Sequence, residues 1–338
     1  MNKYKLIIFG DYWDVYLTSY KELIDDPYIT YISTFRPKGL LGQLQRIQFN
    51  PKLNHVLSIP GKNLWNPYYL RQEKGKDFCF LILEKWLRHE SAIQLLPYLR
   101  KHYPESKIVC FFQDLIDTIK DRYTDKVVDI NYVKRYSDLI ISYDKSDAQK
   151  YHTAYHPTIY SPLNIQSTST KYDLYFLGRD KGRMDMLIRL CQEAQKRGLR
   201  CKFDMIEIPR QKQISQEGMN YPNGEISYAE NLRNSSESRC IIEMLQQDAS
   251  SPTLRTWEAI ALNRKLLTNN SSIKETEIYD SNYISVFHDE TDIDWDFIKN
   301  DNAFPTANPF MEQIRPIRLV EFMEKQLNIR IDSFSRYA

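Results

Sequence analysis

Two short stretches of this chain carry side chains whose types and spacing suit anion chemistry. In residues 250–270, SSPTLRTWEAIALNRKLLTNN, Arg255 and Glu258 stand at i and i+3, which puts them on one face of a helix. Ser251 suits the N-cap, Pro252 the first helical position and Asn263 a left-handed closing residue, so a helix is expected over 252–262. The pair has two readings. As a surface ion pair it is worth about 0.2–1 kcal/mol. As a socket, Arg255 neutralises a phosphate while Glu258 accepts two ribose hydroxyls, at about 1.5–3 kcal/mol per charge-assisted bond. The second stretch is Gly178-Arg179-Asp180-Lys181-Gly182-Arg183, directly after the apolar run YDLYFL. Its glycines let backbone approach a ligand, and its cations concentrate positive potential.

A general base must be an acid or imidazole with hydrogen-bond reach to the proton it removes. Strand-end position nominates Asp11 and Asp14 after KLIIFG, and Asp114 after KIVCFFQ. Each has the alternative job of capping or charging the start of a helix. Asp292-Ile293-Asp294-Trp295-Asp296 imitates a metal-binding DxD motif, but its place before WDFIKN favours acidic N-capping. His152 and His156 have ligand spacing, yet no third ligand lies near and Pro157 follows, so a solvated helix end is expected there. No metal site is expected.

The elements that must position these groups come from hydrophobic periodicity. KLIIFG, FCFLIL, KIVCFFQD and DLIISYD alternate with helical patterns such as VYLTSYKELI, ESAIQLLPYLRKH and KSDAQKYH. Continuous apolar strands bounded by helices read as βαβ units with a parallel sheet buried on both faces. A polar, proline-bearing stretch over 157–171 reads as a crossover. The series then restarts through YDLYFLG, KFDMIEI, CIIEML and KLLTNN. NPFMEQIRPIRLVEFMEKQL follows as an amphipathic helix interrupted near Pro316 and long enough to cross back over the first unit. The expected fold is α/β, with two tandem Rossmann-like domains facing across a cleft. Residues 1–160 form the first domain, 161–308 the second, and 309–338 the returning helix. Both cationic stretches then lie at carboxyl ends of strands in one sheet, where open α/β sheets bind ligands.

Bulk properties bound the rest. At 338 residues, 42% hydrophobic and 27% charged, the chain has the length and balance of two globular domains. Lys plus Arg number 46 against 44 Asp plus Glu, so the net charge of +2 supplies no long-range field for nucleic acid. Five scattered cysteines without a CxxC pair indicate reduced core residues of a cytoplasmic protein. No run approaches the roughly 18 apolar residues of a membrane span, which leaves only peripheral contact. Basic and aromatic residues interleave in TYISTFRPKGLLGQLQRIQF and NPYYLRQEKGK. Such a face suits a sugar acceptor on an anionic lipid carrier, or is half-buried tyrosine in a tyrosine-rich chain.

FLGRDKGR, the strand CIIEML and TLRTWEAIALNRKLLTNN together resemble the C-terminal nucleotide-binding domain of GT-B-fold glycosyltransferases, in particular those of bacterial capsule and lipopolysaccharide biosynthesis. The resemblance covers 172–290 well and the first unit more loosely. It implies a metal-independent transferase without a cofactor, whose co-substrate is a UDP- or GDP-linked sugar. The acceptor would be a growing surface polysaccharide or lipid-linked oligosaccharide at the inner face of the plasma membrane. Arg179 and Lys181 are assigned to the diphosphate and Glu258 to the ribose. Thr253 and Arg255 lie near the phosphates, and Gly178, Arg183 and Leu254 join the nucleotide contacts. Asp14 or Asp114 supplies the base. On this reading Glu258→Ala weakens nucleotide binding and leaves the fold intact. The chain departs from the family at Ser250, where retaining members carry an acid, and at Asn263, where glycine is usual. A dinucleotide oxidoreductase is disfavoured because neither half has GxGxxG. A non-catalytic GT-B-like subunit that binds nucleotide or sugar and regulates a true transferase is the alternative.

Overall fold

The computed structural model describes residues 3–33, 38–75, 77–163, 169–224, 226–245, 251–300 and 309–333; Ser250 lies outside them. Two compact units emerge. One takes the chain up to Pro157 and again from Pro316, and the other is Thr158–Arg315. The breaks therefore fall at 157/158 and 315/316, where the sequence suggested 160/161 and 308/309. The reason is local: Tyr160 N donates to Ile314 O at 2.8 Å, and both side chains are buried in the core of the second unit. The Pro309–Ile314 helix thus belongs to that unit, and only Pro316–Leu327 returns to the first.

In the first unit β1 (Lys3–Gly10), β2 (Thr30–Ser33), β3 (Phe78–Leu83), β4 (Lys107–Phe112), β5 (Leu139–Ser142) and β6 (Ala154–Tyr155) form one sheet. The returning segment adds a further strand, Arg330–Ile331, parallel to β1. The other described pairings are parallel too, with β1 beside both β2 and β3 and then β4, β5 and β6 in order. Every residue of FCFLIL in β3 is buried, the burial expected of a strand covered on both faces. Phe9, Phe80, Trp86, Leu99 and Phe112 are among the residues that fill one face of this sheet.

The second unit repeats the plan with β7 (Tyr172–Gly178), β8 (Cys201–Met205), β9 (Met219–Asn220), β10 (Ser238–Glu243), β11 (Lys265–Thr268) and β12 (Ile284–Val286). The order is β12-β11-β10-β7-β8-β9, all parallel. The period of two divides its core. Cys240 and Ile242 pack with Leu174, Phe176 and Phe203, whereas Ile241 packs with Trp257, Leu266 and Ile284 on the other face. Succession along the chain runs outward from β7 in one direction and from β10 in the other, so the topological switch point lies between β7 and β10. Ligands of open α/β sheets bind outside the carboxyl ends at such a point.

Candidate functional site

At that switch point the two cationic stretches meet. Arg255, early in the Leu254–Ala261 helix that follows β10, reaches back to β7: its Nη2 donates to Leu177 O at 2.9 Å. Arg183, which precedes the Met184–Lys196 helix that follows β7, reaches the opposite way, with Nη1 donating to Met244 O at 2.7 Å. Each arginine ties its own helix start to the neighbouring strand end. Arg183 also lies over the Phe176 ring at 4.9 Å. A Cβ on Gly178 would stand 2.7 Å from its Nη2 and 2.9 Å from Phe176, so any larger residue there would displace this arginine or the ring. Burial, with Arg255 nearby, lowers the Arg183 guanidinium to about 10, still charged at neutral pH.

The turn between them takes two left-handed residues, Lys181 at φ 43° and Gly182 at φ 80°. Asp180 closes it, accepting from Gly182 N at 3.2 Å and Met184 N at 3.1 Å, which neutralises the start of that helix. Arg179 leans to the other side and pairs with Glu207 beyond β8 at 2.5 Å. Beside them a cavity of about 330 Å³ opens at the carboxyl end of β8, lined by Met205, Glu207, Arg210, Tyr221 and Pro222 among others.

The helix after β10 starts later than expected. Thr253, not Ser251, is the N-cap, with extended backbone and Oγ1 accepting from Arg255 N at 3.3 Å; Asn263 is left-handed at φ 56°, as its type suggested. Glu243 causes the shift. Buried at the end of β10, it accepts from Thr253 N (3.0 Å), Thr253 Oγ1 (2.5 Å), Thr256 Oγ1 (2.9 Å) and Thr268 Oγ1 (2.7 Å). Leu254, the first helical residue, is half-buried against the core.

Glu258 corrects the ribose assignment. Its side chain is 0% exposed, and Arg255 Nη1 donates to Oε2 at 2.5 Å while Asn231 Nδ2 donates to Oε1 at 3.3 Å. Burial and the charge of Glu258 raise the Tyr228 phenol well above its usual value. The pair is neither a surface bridge nor an open socket: Glu258 is the buried counter-ion that holds Arg255 against β7. Burial opposes the Arg255 charge, but Glu258 and the phenol of Tyr175 leave its affinity for a proton higher than usual.

In the first unit the strand-end acids differ sharply in setting. Asp11 is buried after β1, accepting from Tyr12 N at 2.6 Å and pairing with Lys85 Nζ at 3.2 Å. Asp14 is exposed in the first turn of the Asp14–Ser19 helix. Asp114, beyond β4, has a side chain 54% exposed and sits 3.6 Å from Arg88 Nη2. The same nitrogen lies 3.3 Å from Glu84 Oε1, and Gln113 N donates to Glu84 Oε2 at 3.1 Å. Burial, reinforced by the charge of Asp114, pushes Glu84 up to about 7. Sequence reasoning passed over Glu84 and Glu243, although both are acids at the end of a continuous apolar strand, the signal that selected Asp114. Lys85 stands over the exposed rings of Tyr12 and Trp13, at 5.4 and 4.8 Å.

The decoys resolve into structure. Asp294 caps the Trp295–Lys299 helix through Asp296 N and Phe297 N, and Asp292 accepts from His288 N and faces its ring. His152 is the left-handed end of a helix. His156 is not solvated: it is buried against Phe111 and Phe322, with ring centroids at 6.4 and 5.1 Å, and burial lowers its basicity. Among the described residues no three His, Cys, Asp or Glu side chains are grouped to hold a metal, and the five cysteines are free.

No family model and no characterised protein sequence matches the chain. Solved structures do. The fold aligns with an alpha-glucosyltransferase in complex with UDP and a 13-mer DNA containing a central A:G mismatch, at a TM-score of 0.57 and 12% identity, over 95% of this chain and 99% of that one. It aligns also with an alpha,alpha-trehalose-phosphate synthase (UDP-forming) from Burkholderia xenovorans in complex with glucose-6-phosphate, at 0.55 and 10%, over 96% and 100%. At these identities the likeness is one of architecture. The chain has the GT-B fold of two parallel-sheet α/β units.

Proposed function

We propose that the protein is a glycosyltransferase that takes a sugar from a UDP- or GDP-linked donor. The observation that carries the reading is the reciprocal crossing of Arg183 and Arg255 at the switch point between β7 and β10. Two guanidinium groups, the Lys181–Gly182 turn and a helix start are gathered at one strand edge, where a diphosphate gains most from fixed donors. These groups stabilise the departing nucleoside diphosphate without a metal ion. The cavity beyond β8 has the volume for a ligand ring and offers Tyr221 to its face. In the first unit Asp114 takes the proton of the acceptor hydroxyl as the hydroxyl oxygen bonds to the sugar's anomeric carbon and the bond to the diphosphate breaks. Glu84 and Arg88 set the charge around Asp114, while Trp13 and Tyr12 offer faces for an acceptor sugar.

The acceptor is a glycan of the bacterial surface or its lipid-linked precursor, and the protein works in the cytoplasm against the membrane. A nearly neutral chain suits a glycan better than DNA. Ser250, where retaining members carry an acid, supports a second reading, a subunit that binds nucleotide or sugar without turnover. One experiment separates them. Thermal shift against a panel of nucleoside diphosphates and their sugars selects the nucleotide, and donor hydrolysis or transfer is then followed with wild type, Arg183→Ala and Asp114→Asn. The transferase reading expects Arg183→Ala to weaken nucleotide binding, and Asp114→Asn to keep binding and lose turnover by about 10²-fold or more. Binding without turnover in the wild type supports the subunit, and no binding of any nucleotide removes both.

A further inference from the structure

The Gly39–Gln48 helix is built inside out. Its buried residues are Gly42 and Gln45, whereas Leu40, Leu41, Leu44 and Ile47 are exposed, Leu40 by 78%. The next helix, Pro51–Val56, repeats the inversion: Asn54 is buried and Val56 is 90% exposed. The inward polar groups are satisfied. Gln45 Nε2 donates to the Tyr69 hydroxyl at 3.2 Å, and Asn54 Nδ2 donates to Gln48 O at 2.9 Å and Asn50 O at 2.7 Å. Ile59 N donates to Asn54 Oδ1 at 3.1 Å, and Trp65 Nε1 to Gln48 Oε1 at 2.7 Å. This hairpin is therefore held together by an internal polar network while its apolar side faces solvent. Ordinary surface helices do the reverse.

Of the twelve large apolar side chains exposed among the described residues, eight lie between Leu40 and Leu64, so the exposure is concentrated in one stretch of the chain rather than scattered. The charge of its own residues has one sign, with one acid from another segment beside it, Asp125 at 3.7 Å from His55 Nδ1. No acid occurs between Asp26 and Glu73, and the exposed cations Lys38, Arg46 and Lys52 stand among the aliphatic residues. We infer that the 39–57 hairpin is a docking surface for an anionic lipid bilayer. Its aliphatic side chains enter the acyl boundary and its cations meet lipid phosphates, the division of labour of an interfacial amphipathic helix. Bare leucine and valine have no role on a nucleic-acid backbone. A two-fold pairing with a second copy would bring two cationic surfaces together. No helix among the described residues is long and apolar enough to cross a membrane. The inference extends the membrane side of the proposed function, but it stands on exposure and charge and not on the donor site.

The test is flotation of the full chain with vesicles rich in phosphatidylglycerol and with vesicles of phosphatidylcholine alone. Wild type is expected to float with the first, to release at high salt, and to ignore the second. Leu44→Glu combined with Val56→Glu should lower the bound fraction about tenfold or more. Because both side chains are exposed, the melting temperature and any nucleotide-induced shift should stay as in wild type. Arg46→Glu with Lys52→Glu should weaken binding and its salt dependence together. Equal flotation of wild type and the Leu44/Val56 variant overturns the inference, as does absence of flotation, a dimer that this variant dissolves, or duplex DNA bound in preference to vesicles. A nucleotide shift that survives in the variant without flotation leaves the donor reading untouched; vesicle binding without any nucleotide shift strikes the transferase reading alone.

Discussion

Glu84 is a carboxylate almost without water, facing Asp114, Arg88, Gln113 N and, across the strand end, the phenol of Tyr16. Its ordinary value of 4.5 rises to about 7 in the fold. The folded protein therefore binds this proton more tightly than the unfolded chain, so the slope of stability with pH is negative between those values. Stability should fall as pH climbs from about 4.5 to about 7 and level off above, by on the order of 3 kcal/mol if Glu84 titrates alone. Glu84→Gln removes that loss. Urea unfolding of wild type and variant across this window should show their difference moving steadily in favour of the variant as pH rises. A difference constant with pH would mean that Glu84 ionises near its ordinary value and that Arg88 compensates its burial.

At the scale of elements, Glu258 is better understood as part of a clamp between a helix and a strand than as a ligand. Arg255 gives three of its five N–H donors to Leu177 O, Asn231 Oδ1 and Glu258, so removal of the carboxylate leaves a half-buried guanidinium without its counter-charge. Glu258→Ala should cost about 3–5 kcal/mol in chemical denaturation, against less than about 1 for a surface pair. A loss within the surface range would return the pair to solvent and reopen the ribose role. The i, i+3 spacing that singled out these residues is the same for a buried and an exposed pair, which is why the sequence carried the pair but not its burial. Strands such as FCFLIL were legible because burial on both faces leaves a continuous apolar run. Asn263 was legible because few residue types tolerate a left-handed backbone. The N-cap was misread by two residues because the decision is tertiary: Glu243, ten residues upstream, holds Thr253 in place. Least legible was the 39–56 pair of helices, where apolar periodicity points outward and the usual inference from hydrophobic to buried is reversed.

For the molecule as a whole, two separate cores and a chain that leaves the first unit at Pro157 and re-enters it at Pro316 make a specific thermodynamic prediction. Each unit has its own parallel sheet and its own buried cluster, so unfolding need not be all-or-none. The returning segment is covered on the first unit's own elements: the Pro316–Leu327 helix buries Leu319, Val320 and Met323, and Glu324 accepts from Ile331 N in the strand beside β1. Stability of the first unit therefore depends on residues that come last in the chain. Arg183, Arg255 and the β8 cavity all belong to the second unit, so a nucleotide bound there stabilises that unit directly, by about 2.7 kcal/mol at a hundred times its dissociation constant. Scanning calorimetry should resolve two transitions, of which the matching nucleoside diphosphate raises one. Met323→Ala, a buried large-to-small change in the returning helix costing about 2–5 kcal/mol, should lower the other and leave the nucleotide-sensitive one in place. A single transition raised by nucleotide and lowered by Met323→Ala alike would mean that the two cores melt as one cooperative body, and the donor site would then draw its stability from both.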